Sequence, residues 1–493
     1  MSNLKNKITL LILLSAGALA GFFAFSVMSD DAYIMLRVAK NAIEGKGLVY
    51  NVDDYNIQAC TSPLNLLLVL CSSWFLKFFT ENHNSAVLSG AFFTNVISFT
   101  LFTTGCYRLL NHNLHLRFLP LFGTLFIVLS SLTLQTGGLE TILLMSLILW
   151  GLVMLRENKV FLCSVFLSLA FLTRHDAGII LFLVFVYLYY QANAQKRKDI
   201  IIKFLGTSAL IITPWVLFSI YYYGTSVPTT LEAKIAQGNS PYWVDSYIQG
   251  IIKWLPAFFY ESTTIFYLFL ILAVYGVYTT IKNKLYNRVP AALLLIYSVL
   301  HIIAYSLLGI PEYHWYYVPY AIVVAILALI GIQFIYDNIT LPKLYVVISG
   351  LTLTTLFISL LFMQGIPIEK RFLTYKEVGN YLKNNPPNVS VGLMEIGIIG
   401  FYANDVQVFD FAGIVTPVQR ERLPEGKAVS WLTEEFEGKP DVVVIRGEKH
   451  PLEPDFHKQF QEYYEFEKSI KEGTVYEGEL QIWRAKQTNL SNL

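Results

Sequence analysis

Two adjacent carboxylates, Asp30 and Asp31, directly follow an apolar run near the start of the chain. A carboxylate that is partly desolvated and lies beside a second acid holds a proton more tightly than a solvated one. Such a group is suited to general-base catalysis, in which it takes the proton from an attacking hydroxyl. The same acids are also favourable at the start of a helix, which the pattern predicts over 32–43. The pair is therefore a candidate base or a helix cap.

Three more segments between apolar runs carry residues that could bind a ligand or take part in catalysis. Glu140 lies at the start of an apolar run. There it either interacts favourably with the helix dipole or binds an acceptor or a metal. Arg174, His175 and Asp176 lie between two short apolar runs. Arg174 is suited to holding a phosphate through charge-assisted hydrogen bonds, although a structural pair with Asp176 accounts for it equally. Lys234 is another candidate phosphate contact, or a solvated loop charge.

The elements that must position these side chains lie in a membrane. Hydrophobic residues make up 55% of the 493 residues and charged residues only 14%, against roughly 25% charged in an ordinary soluble domain. This composition excludes a soluble globular enzyme, a nucleic-acid binder and a disordered scaffold. The four cysteines (Cys60, Cys71, Cys106 and Cys163) lack the spacing of a zinc site or a disulfide framework.

Eleven apolar runs have a length close to the ~20 residues that a membrane-spanning helix needs. They lie near 8–27, 86–107, 118–135, 139–155, 160–173, 177–190, 201–222, 263–281, 290–309, 316–336 and 344–363. A further apolar run, 64–79, contains two serines and a lysine and follows Thr-Ser-Pro. These features favour a helix that lies at the membrane interface over one that crosses.

Charge asymmetry predicts the orientation of these spans. With the N-terminus inside, their cytoplasmic ends collect 14 basic and three acidic residues, whereas the opposite side of 1–363 has seven basic and 12 acidic residues. The positive-inside rule therefore predicts a cytoplasmic N-terminus and an extracytoplasmic C-terminal part. The first run also has features of a signal peptide, but it continues far enough to span and is expected to remain as a helix.

The last quarter of the chain differs in composition, because 364–493 carries 35 of the 71 charged residues. We therefore expect a transmembrane domain over 1–363 and an extracytoplasmic soluble domain over 364–493. Alternating helix and strand patterns, which end in a hairpin over 473–476 and 480–484, predict a small α/β fold for the second domain.

Five short motifs fall in loops or at span ends on the same predicted side of the membrane. They read DDAY at 30–33, EGKGLVYN at 44–51, TSPL at 61–64, GLET at 138–141 and RHDAG at 174–178. Together they resemble the GT-C glycosyltransferases, and most nearly the lipid-donor arabinofuranosyltransferases of the Arabinofuranosyltransferase B type and their mannosyltransferase-like relatives. The resemblance implies a GT-C-like membrane domain of about 11 transmembrane helices, followed by the soluble α/β domain.

The resemblance also implies an activity. Such enzymes transfer a sugar from a polyprenyl-phosphate carrier to a glycan or lipid acceptor outside the cytoplasm, usually with inversion, and they use an acid of the first outer loop as base. Asp30 matches the first acid of the family's pair and Asp31 the second. The implied partners are the polyprenyl-phosphate sugar, a glycan or glycolipid acceptor and the bilayer of the inner (plasma) membrane, with no nucleic acid. No cofactor is certain, and a divalent metal stays an open alternative.

One motif departs from the family. Relatives often have the sequence Arg-Tyr-x-x-Pro, in which the arginine is thought to bind phosphate. This chain has HWYYVP at 314–319 instead. His314 or Tyr317 would then substitute for the missing arginine.

Two other functions remain open at this level: a transporter or flippase for lipid-linked saccharides, and a non-catalytic assembly protein. A transporter is expected to have related halves and broken helices at mid-membrane, whereas here no internal repeat is visible and the acids lie in loops. The sequence also has no recognisable glycine-rich loop for nucleotide phosphates, which favours a lipid-phosphate donor.

Overall fold

The computed structural model has a part made of helices and a smaller part built around a five-stranded sheet. It describes residues 2–52, 56–114, 119–259, 262–282, 288–338, 370–386, 389–403, 405–434, 438–446, 457–471 and 479–486. The span expected near 344–363 lies outside the described residues.

Within the described part of the chain, six helices are long and apolar enough to cross a membrane. They are Asn6–Ser26, His83–Asn111, Ala194–Tyr223, Thr263–Lys282, Val289–Leu307 and His314–Asn338. The expectation of a polytopic helical membrane protein is therefore confirmed, because a ~30 Å hydrocarbon core requires helices of this length.

The helices of this part follow one another with short connections. In chain order they are α1 (Ser2–Ser26), α2 (Asp30–Ile43), α3 (Pro63–Leu76), α4 (His83–Arg108), α5 (Pro120–Val128), α6 (Ser131–Leu134), α7 (Thr141–Arg156), α8 (Val160–Thr173), α9 (Gly178–Gln191), α10 (Ala194–Ile201), α11 (Thr207–Tyr223), α12 (Thr229–Gly238), α13 (Tyr247–Phe258), α14 (Thr263–Lys282), α15 (Val289–Leu307) and α16 (Val318–Asn338). Short 3₁₀ turns, His175–Ala177 and His314–Tyr316, lead into α9 and α16.

The run near 118–135 does not form the single span expected from its apolar residues. It forms α5, of nine residues, and the four-residue α6. At about 1.5 Å per residue, α5 covers less than half of the hydrocarbon core. The break is stabilised by Ser130, whose hydroxyl accepts a hydrogen bond from the Thr133 N–H and donates one to Thr133 Oγ1 at 2.6 Å. Apolar residues continue through the break, so the hydropathy pattern alone did not reveal it.

Helix α3 contains most of the run expected to lie at the interface. Its 14 residues span ~21 Å, which is short of the hydrocarbon thickness. Beside its end, the aromatic side chains of Trp74 and Phe75 are 65% and 64% exposed. Aromatic residues of this kind are typical of the membrane–water boundary, which agrees with an interfacial helix.

Small residues allow close contact between neighbouring helices. A Cβ atom on Gly21 of α1 would lie 2.7 Å from the Cα atom of Val96 on α4. A Cβ atom on Gly331 of α16 would lie 3.2 Å from the backbone nitrogen of Gly276 on α14. Such glycine contacts are typical of helix pairs within membranes, where close backbone packing is the main stabilising interaction.

The C-terminal part is a small α/β domain, as its sequence pattern predicts. Its strands are β1 (Ser390–Leu393), β2 (Gln407–Asp410), β3 (Val442–Arg446), β4 (Tyr464–Ile470) and β5 (Leu480–Ala485), in the sheet order β2-β1-β3-β5-β4. Strand β1 pairs in parallel with β2 and β3, and β5 pairs antiparallel with β3 and β4. Its helices are α17 (Lys370–Leu382), α18 (Ile398–Tyr402), α19 (Gln419–Arg422), α20 (Trp431–Glu434) and α21 (His457–Tyr463).

The partner of β5 is β4, which begins earlier in the chain than the strand expected over 473–476. That segment lies outside the described residues. Strand β4 contains Glu465, Glu467 and Lys468, and its charges hid it from a search for apolar alternation. Charged residues on an edge strand are a common protection against unwanted strand pairing, so this composition suits the position of β4 at the sheet edge.

Candidate active site

A cavity of about 430 Å³ lies between the first turn of α2, the loop before α7, the turn between α8 and α9, helix α12 and the end of α15. Its wall includes six of the side chains that the sequence singled out: Asp31, Glu140, Arg174, His175, Asp176 and Lys234. Apolar and aromatic side chains complete it, among them Ile179, Leu231, Leu308, Trp315, Tyr316 and Ile414. Loops far apart in the sequence therefore share one concave site, which is the usual form of a small-molecule site.

Asp31 is the acid of the N-terminal pair that faces this cavity. The residue is half-buried, and its side-chain carboxylate forms no hydrogen bond or ion pair in the described part of the chain. Glu140, the N-cap residue of α7, is a second carboxylate in the wall. Burial raises the pKa of Glu140, and the nearby Arg174 opposes this shift. The cavity thus contains one carboxylate whose oxygens are available to a ligand and another whose proton affinity is increased.

Asp30 does not line the cavity. Its Oδ2 atom accepts a hydrogen bond from the Gly397 N–H at 2.9 Å, and its Oδ1 atom accepts one from the Ile398 N–H at 2.7 Å. Burial raises its pKa to about 7, and the neighbouring acids Glu395 and Asp31 add to this shift. Asp30 therefore occupies a capping position, but at the start of α18 in the C-terminal domain rather than on its own helix.

Arg174 lies at the C-terminal end of α8, where two partners hold its guanidinium. Its Nη2 atom donates to Asp176 Oδ2 at 2.5 Å and to the Tyr305 hydroxyl at 2.8 Å. The guanidinium also lies 4.9 Å from the centre of the Tyr316 ring. Its Nε and Nη1 atoms make no hydrogen bond to any residue that the structure describes. The pair with Asp176 thus exists, and it leaves part of the guanidinium available to an anion in the cavity.

A buried hydrogen-bond network extends behind Arg174. Asp176 Oδ2 also accepts from the Tyr305 hydroxyl at 2.8 Å and contacts His301 Nε2 at 2.8 Å. The other ring nitrogen of His301 contacts the Tyr320 hydroxyl, which lies 2.6 Å from the Tyr247 hydroxyl. These side chains come from α13, α15 and α16. The sequence does not single them out, because polar aromatic residues within apolar spans resemble ordinary core residues.

Lys234 on α12 is 8% exposed and lies in a cage of aromatic rings. Its Nζ atom is 3.6 Å from the centre of the Tyr313 ring and 5.8 Å from that of Trp315. No carboxylate among the described residues forms an ion pair with it. Cation–π contacts stabilise the ammonium without neutralising its charge. Lys234 therefore supplies a second positive charge to the cavity.

The HWYY segment places different residues at the site from those expected. His314 contacts the Gln135 carbonyl at 3.4 Å and Tyr317 donates to the Tyr247 carbonyl at 2.7 Å, and neither lines the cavity. Trp315 and Tyr316, both in the 3₁₀ turn His314–Tyr316, line it instead. An aromatic run beside a predicted site is the signal that could have found them.

His175 also lines the cavity, and its ring packs edge-on against Phe171 with 5.1 Å between the ring centres. Among the described residues, no group of three or more His, Cys, Asp or Glu side chains is arranged to hold a metal ion. The cavity wall as a whole combines several carboxylates, among which Asp31 has no described partner, with two buried cations and apolar side chains.

Comparisons with known proteins agree with this architecture. Over 97% of this chain and 98% of the other, the structure is similar to crystal structures of ArnT from Cupriavidus metallidurans, at 11% sequence identity. The TM-score is 0.58 for the apo state and 0.54 for the protein bound to undecaprenyl phosphate. The chain has the GT-C fold. The GT-C expectation is thereby confirmed at the level of the fold, while the likeness to arabinofuranosyl- and mannosyltransferases stays a prediction.

The sequence comparisons are less informative. Residues 366–487 match a family profile described as a domain of unknown function (DUF8728). No curated protein matches the chain in sequence. The matched segment contains the five strands of the C-terminal domain that the structure describes.

Proposed function

We propose that this protein is a membrane glycosyltransferase that moves a sugar from a polyprenyl-phosphate donor to an extracytoplasmic glycan or lipid acceptor. One observation carries the proposal: the cavity combines a carboxylate without a described partner, Asp31, with two buried cations, Arg174 and Lys234. A negatively charged phosphate is the ligand that two such cations favour. The free carboxylate is then positioned to act on a neutral hydroxyl beside it.

In the proposed reaction Asp31 is the general base. It removes the proton from the acceptor hydroxyl as that oxygen attacks the anomeric carbon. The bond between this carbon and the phosphate oxygen breaks, and polyprenyl phosphate leaves with the bonding electrons. Arg174 and Lys234 stabilise the charge that develops on the leaving oxygen. A single displacement of this kind inverts the anomeric centre.

The wall of the cavity supports a lipid-linked donor. Ile179, Leu231 and Leu308 offer apolar surface to a prenyl chain close to the two cations. One of the similar ArnT structures was solved with undecaprenyl phosphate, a ligand of the same chemical class. Resemblance to arabinofuranosyl- and mannosyltransferases makes those sugars the first donors to test. Glu140 is the proposed acceptor contact, or a metal ligand if the reaction proves to need a divalent ion.

We place the protein in the inner (plasma) membrane with its N-terminus in the cytoplasm. This orientation is supported by the basic residues of 1–363. Fourteen of them lie on the predicted cytoplasmic side of the membrane and seven on the opposite side. The cavity and the domain over 364–493 would then lie outside the cytoplasm. Transfer there serves the assembly of a cell-envelope glycan or glycolipid.

The proposal is tested with purified protein in lipid nanodiscs. The protein is incubated with polyprenyl-phosphate sugars and a glycolipid extract of the membrane, and release of free polyprenyl phosphate is measured. We expect Asp31→Asn to lower the rate by ~10²–10⁴-fold, the usual effect of losing a catalytic base. The matched control is Asp199→Asn, which changes an exposed acid that pairs with Lys203 on the predicted cytoplasmic side.

Two outcomes would contradict the proposal. The first is a wild-type protein that releases no polyprenyl phosphate from any such donor. The second is an Asp31→Asn variant that turns over as fast as the Asp199→Asn control. Movement of intact lipid-linked sugar across a bilayer, without cleavage, would instead identify a transporter.

A further inference from the structure

Helix α2 presents two faces to two different parts of the molecule. Asp31, Ile34 and Met35 line the cavity. Asp30, Tyr33, Arg37 and Lys40 contact the C-terminal domain. Each residue of a helix turns the side-chain direction by about 100°, so neighbouring residues point to different surroundings. Whatever fixes the rotation of α2 therefore decides which of the two adjacent acids faces the cavity.

The C-terminal domain fixes this rotation through the short helix α18. Asp30 accepts hydrogen bonds from two N–H groups at its start. Arg37, two turns further along α2, donates to the Gly400 carbonyl within α18 at 2.8 Å, and Lys40 donates to the Phe401 carbonyl at 3.3 Å. An acidic side chain thus contacts the positive end of α18, and two cationic side chains contact carbonyls towards its negative end. Both contacts are favourable to the helix dipole.

Arg37 is the central contact of this junction. It is completely buried, and its remaining nitrogen atoms donate to the carbonyls of Tyr50 at 2.9 Å and Val406 at 2.7 Å. Longer contacts of 3.5 Å reach Ala403 O and Asn51 Oδ1. All of these acceptors are neutral oxygens, and they lie in several directions around the planar guanidinium. A lysine at this position could not donate to all of these oxygens, because its three N–H groups are on a single nitrogen atom.

The C-terminal domain also supplies part of the cavity wall. The side chain of Ile414, in the loop after β2, lines the cavity. This loop is held by Asp410, which is completely buried and accepts hydrogen bonds from the N–H groups of Ala412 at 2.7 Å and Val415 at 3.1 Å. Contacts within the domain therefore help to fix the loop that carries Ile414.

A chain of contacts links this loop to the cavity cation. Gln237 on α12 donates to the Ala412 carbonyl at 2.7 Å. Its Oε1 atom accepts from the Tyr313 hydroxyl at 2.7 Å, and the Tyr313 ring packs against Lys234 Nζ. The C-terminal domain thus contacts both sides of the cavity: the helix of the acid and the cage of the cation.

We infer that the C-terminal domain is an integral part of the catalytic unit, in which Arg37 is a positioning residue that orients Asp31 and Ile414 is a wall of the site. The inference rests on the proposed function, and it gives a role to the segment that matches a domain of unknown function. The domain holds α2 so that Asp31, rather than Asp30, faces the substrate.

Arg37→Lys tests the positioning role. The variant keeps the charge of Arg37 but not its fork of donors. We expect kcat to fall by ~10- to 100-fold, because misplacement of a catalytic group by about 1 Å has effects of this size. The Kd for undecaprenyl phosphate, measured by binding of the radiolabelled lipid, is expected to stay within about threefold, because Arg174 and Lys234 are untouched.

Lys46→Ala is the matched control. Lys46 pairs with Asp405 of the C-terminal domain at 3.2 Å, but it is partly exposed and lies outside α2. We expect normal kcat and Kd in this variant. The inference is overturned if Arg37→Lys has normal kcat, if its kcat and donor affinity fall in proportion, or if Lys46→Ala lowers kcat as much.

A second experiment does not depend on turnover. Ile414→Cys is made in a protein that lacks Cys60 and Cys71, and its reaction with a charged thiol reagent is followed. We expect undecaprenyl phosphate to slow the reaction at least severalfold. Val418→Cys, at a 43% exposed position of the same domain, should react at the same rate with or without this lipid.

The two experiments separate the possible failures. If the wild-type protein has no transferase activity but the lipid still protects Ile414→Cys, the proposed function is wrong and the wall assignment holds. If turnover is normal and the lipid gives no protection, the wall assignment is wrong and the proposed function holds.

Discussion

The cavity and the junction between the two domains each contain an acid and a buried arginine, but the two regions use them in opposite ways. In the cavity, Asp31 has no described partner and Arg174 keeps two nitrogen atoms without one. At the junction, Asp30 accepts two backbone N–H groups and the donors of Arg37 are directed at oxygens. Residue type is therefore a poor guide to function here. Unused hydrogen-bonding capacity distinguishes a group that acts on a ligand from one that holds the fold.

Apart from Asp31→Asn, the substitution with the largest effect should be that of the cavity arginine. We expect Arg174→Ala to lower donor turnover by ~10²–10³-fold, the cost of losing a preorganised stabilising group, and Arg174→Lys to restore only part of it. If Arg174 served only to pair with Asp176, then Asp176→Ala would be equally damaging and the double variant no worse. Arg108→Ala, which removes a half-exposed partner of Glu157, is the control.

The junction acid should have a smaller effect on turnover. In Asp30→Asn a single amide oxygen faces two N–H donors, so one of the two hydrogen bonds is lost. We expect a lower unfolding temperature and a decrease in turnover of about tenfold, since removing one partner of a buried hydrogen bond costs ~1–3 kcal/mol. A loss as large as that of Asp31→Asn would reverse the roles given to the two acids.

The same acid should make stability depend on pH. The folded-state pKa of Asp30, about 7, lies above the ~3.9 of an unfolded aspartate. A raised carboxyl pKa stabilises the protein fully below pH ~4, and this contribution is lost as pH rises through 7. The unfolding temperature of the wild type, relative to that of Asp30→Asn, should therefore fall between pH 5 and pH 8. A pH-independent difference between the two proteins would contradict this expectation.

The smallest effect is expected from Tyr305, whose hydroxyl helps to hold the Arg174 side chain in place. Tyr305→Phe removes the hydroxyl that contacts both Arg174 and Asp176 but keeps the ring stacked on His301, with centres 4.1 Å apart. One hydrogen bond is worth ~0.5–1.5 kcal/mol, so donor affinity should weaken by about two- to tenfold. Tyr381→Phe, which removes a hydroxyl that donates to Glu467 in the C-terminal domain, should leave affinity unchanged.

The sequence predicted much of the cavity but not its internal arrangement. The motifs that carry Asp31, Glu140, Arg174 and Lys234 were predicted to lie on one side of the membrane, and all four side chains line one cavity. The choice between Asp30 and Asp31 could not be made in this way. It depends on a helix rotation set by contacts with residues more than 360 positions away.

Other residues escaped prediction for a different reason. His301 and Tyr305 lie in α15, and their aromatic rings satisfy the same apolar pattern as a lipid-facing or core residue would. Ile414 carries no chemical signal, because an isoleucine beside a strand is normally part of a hydrophobic core. The break between α5 and α6 depends on hydrogen bonds of Ser130, which hydropathy does not record.

The amide of Asn51 has a consequence for the solubility of the C-terminal domain. It donates to the Val408 carbonyl and accepts from the Val408 N–H, both at 2.9 Å, so it pairs with β2 as a neighbouring peptide group would. Strand β2 is at the end of the sheet, where free backbone groups invite pairing with another chain. The first loop thus shields an aggregation-prone edge. The C-terminal domain produced without the membrane part should expose this edge and self-associate as its concentration rises.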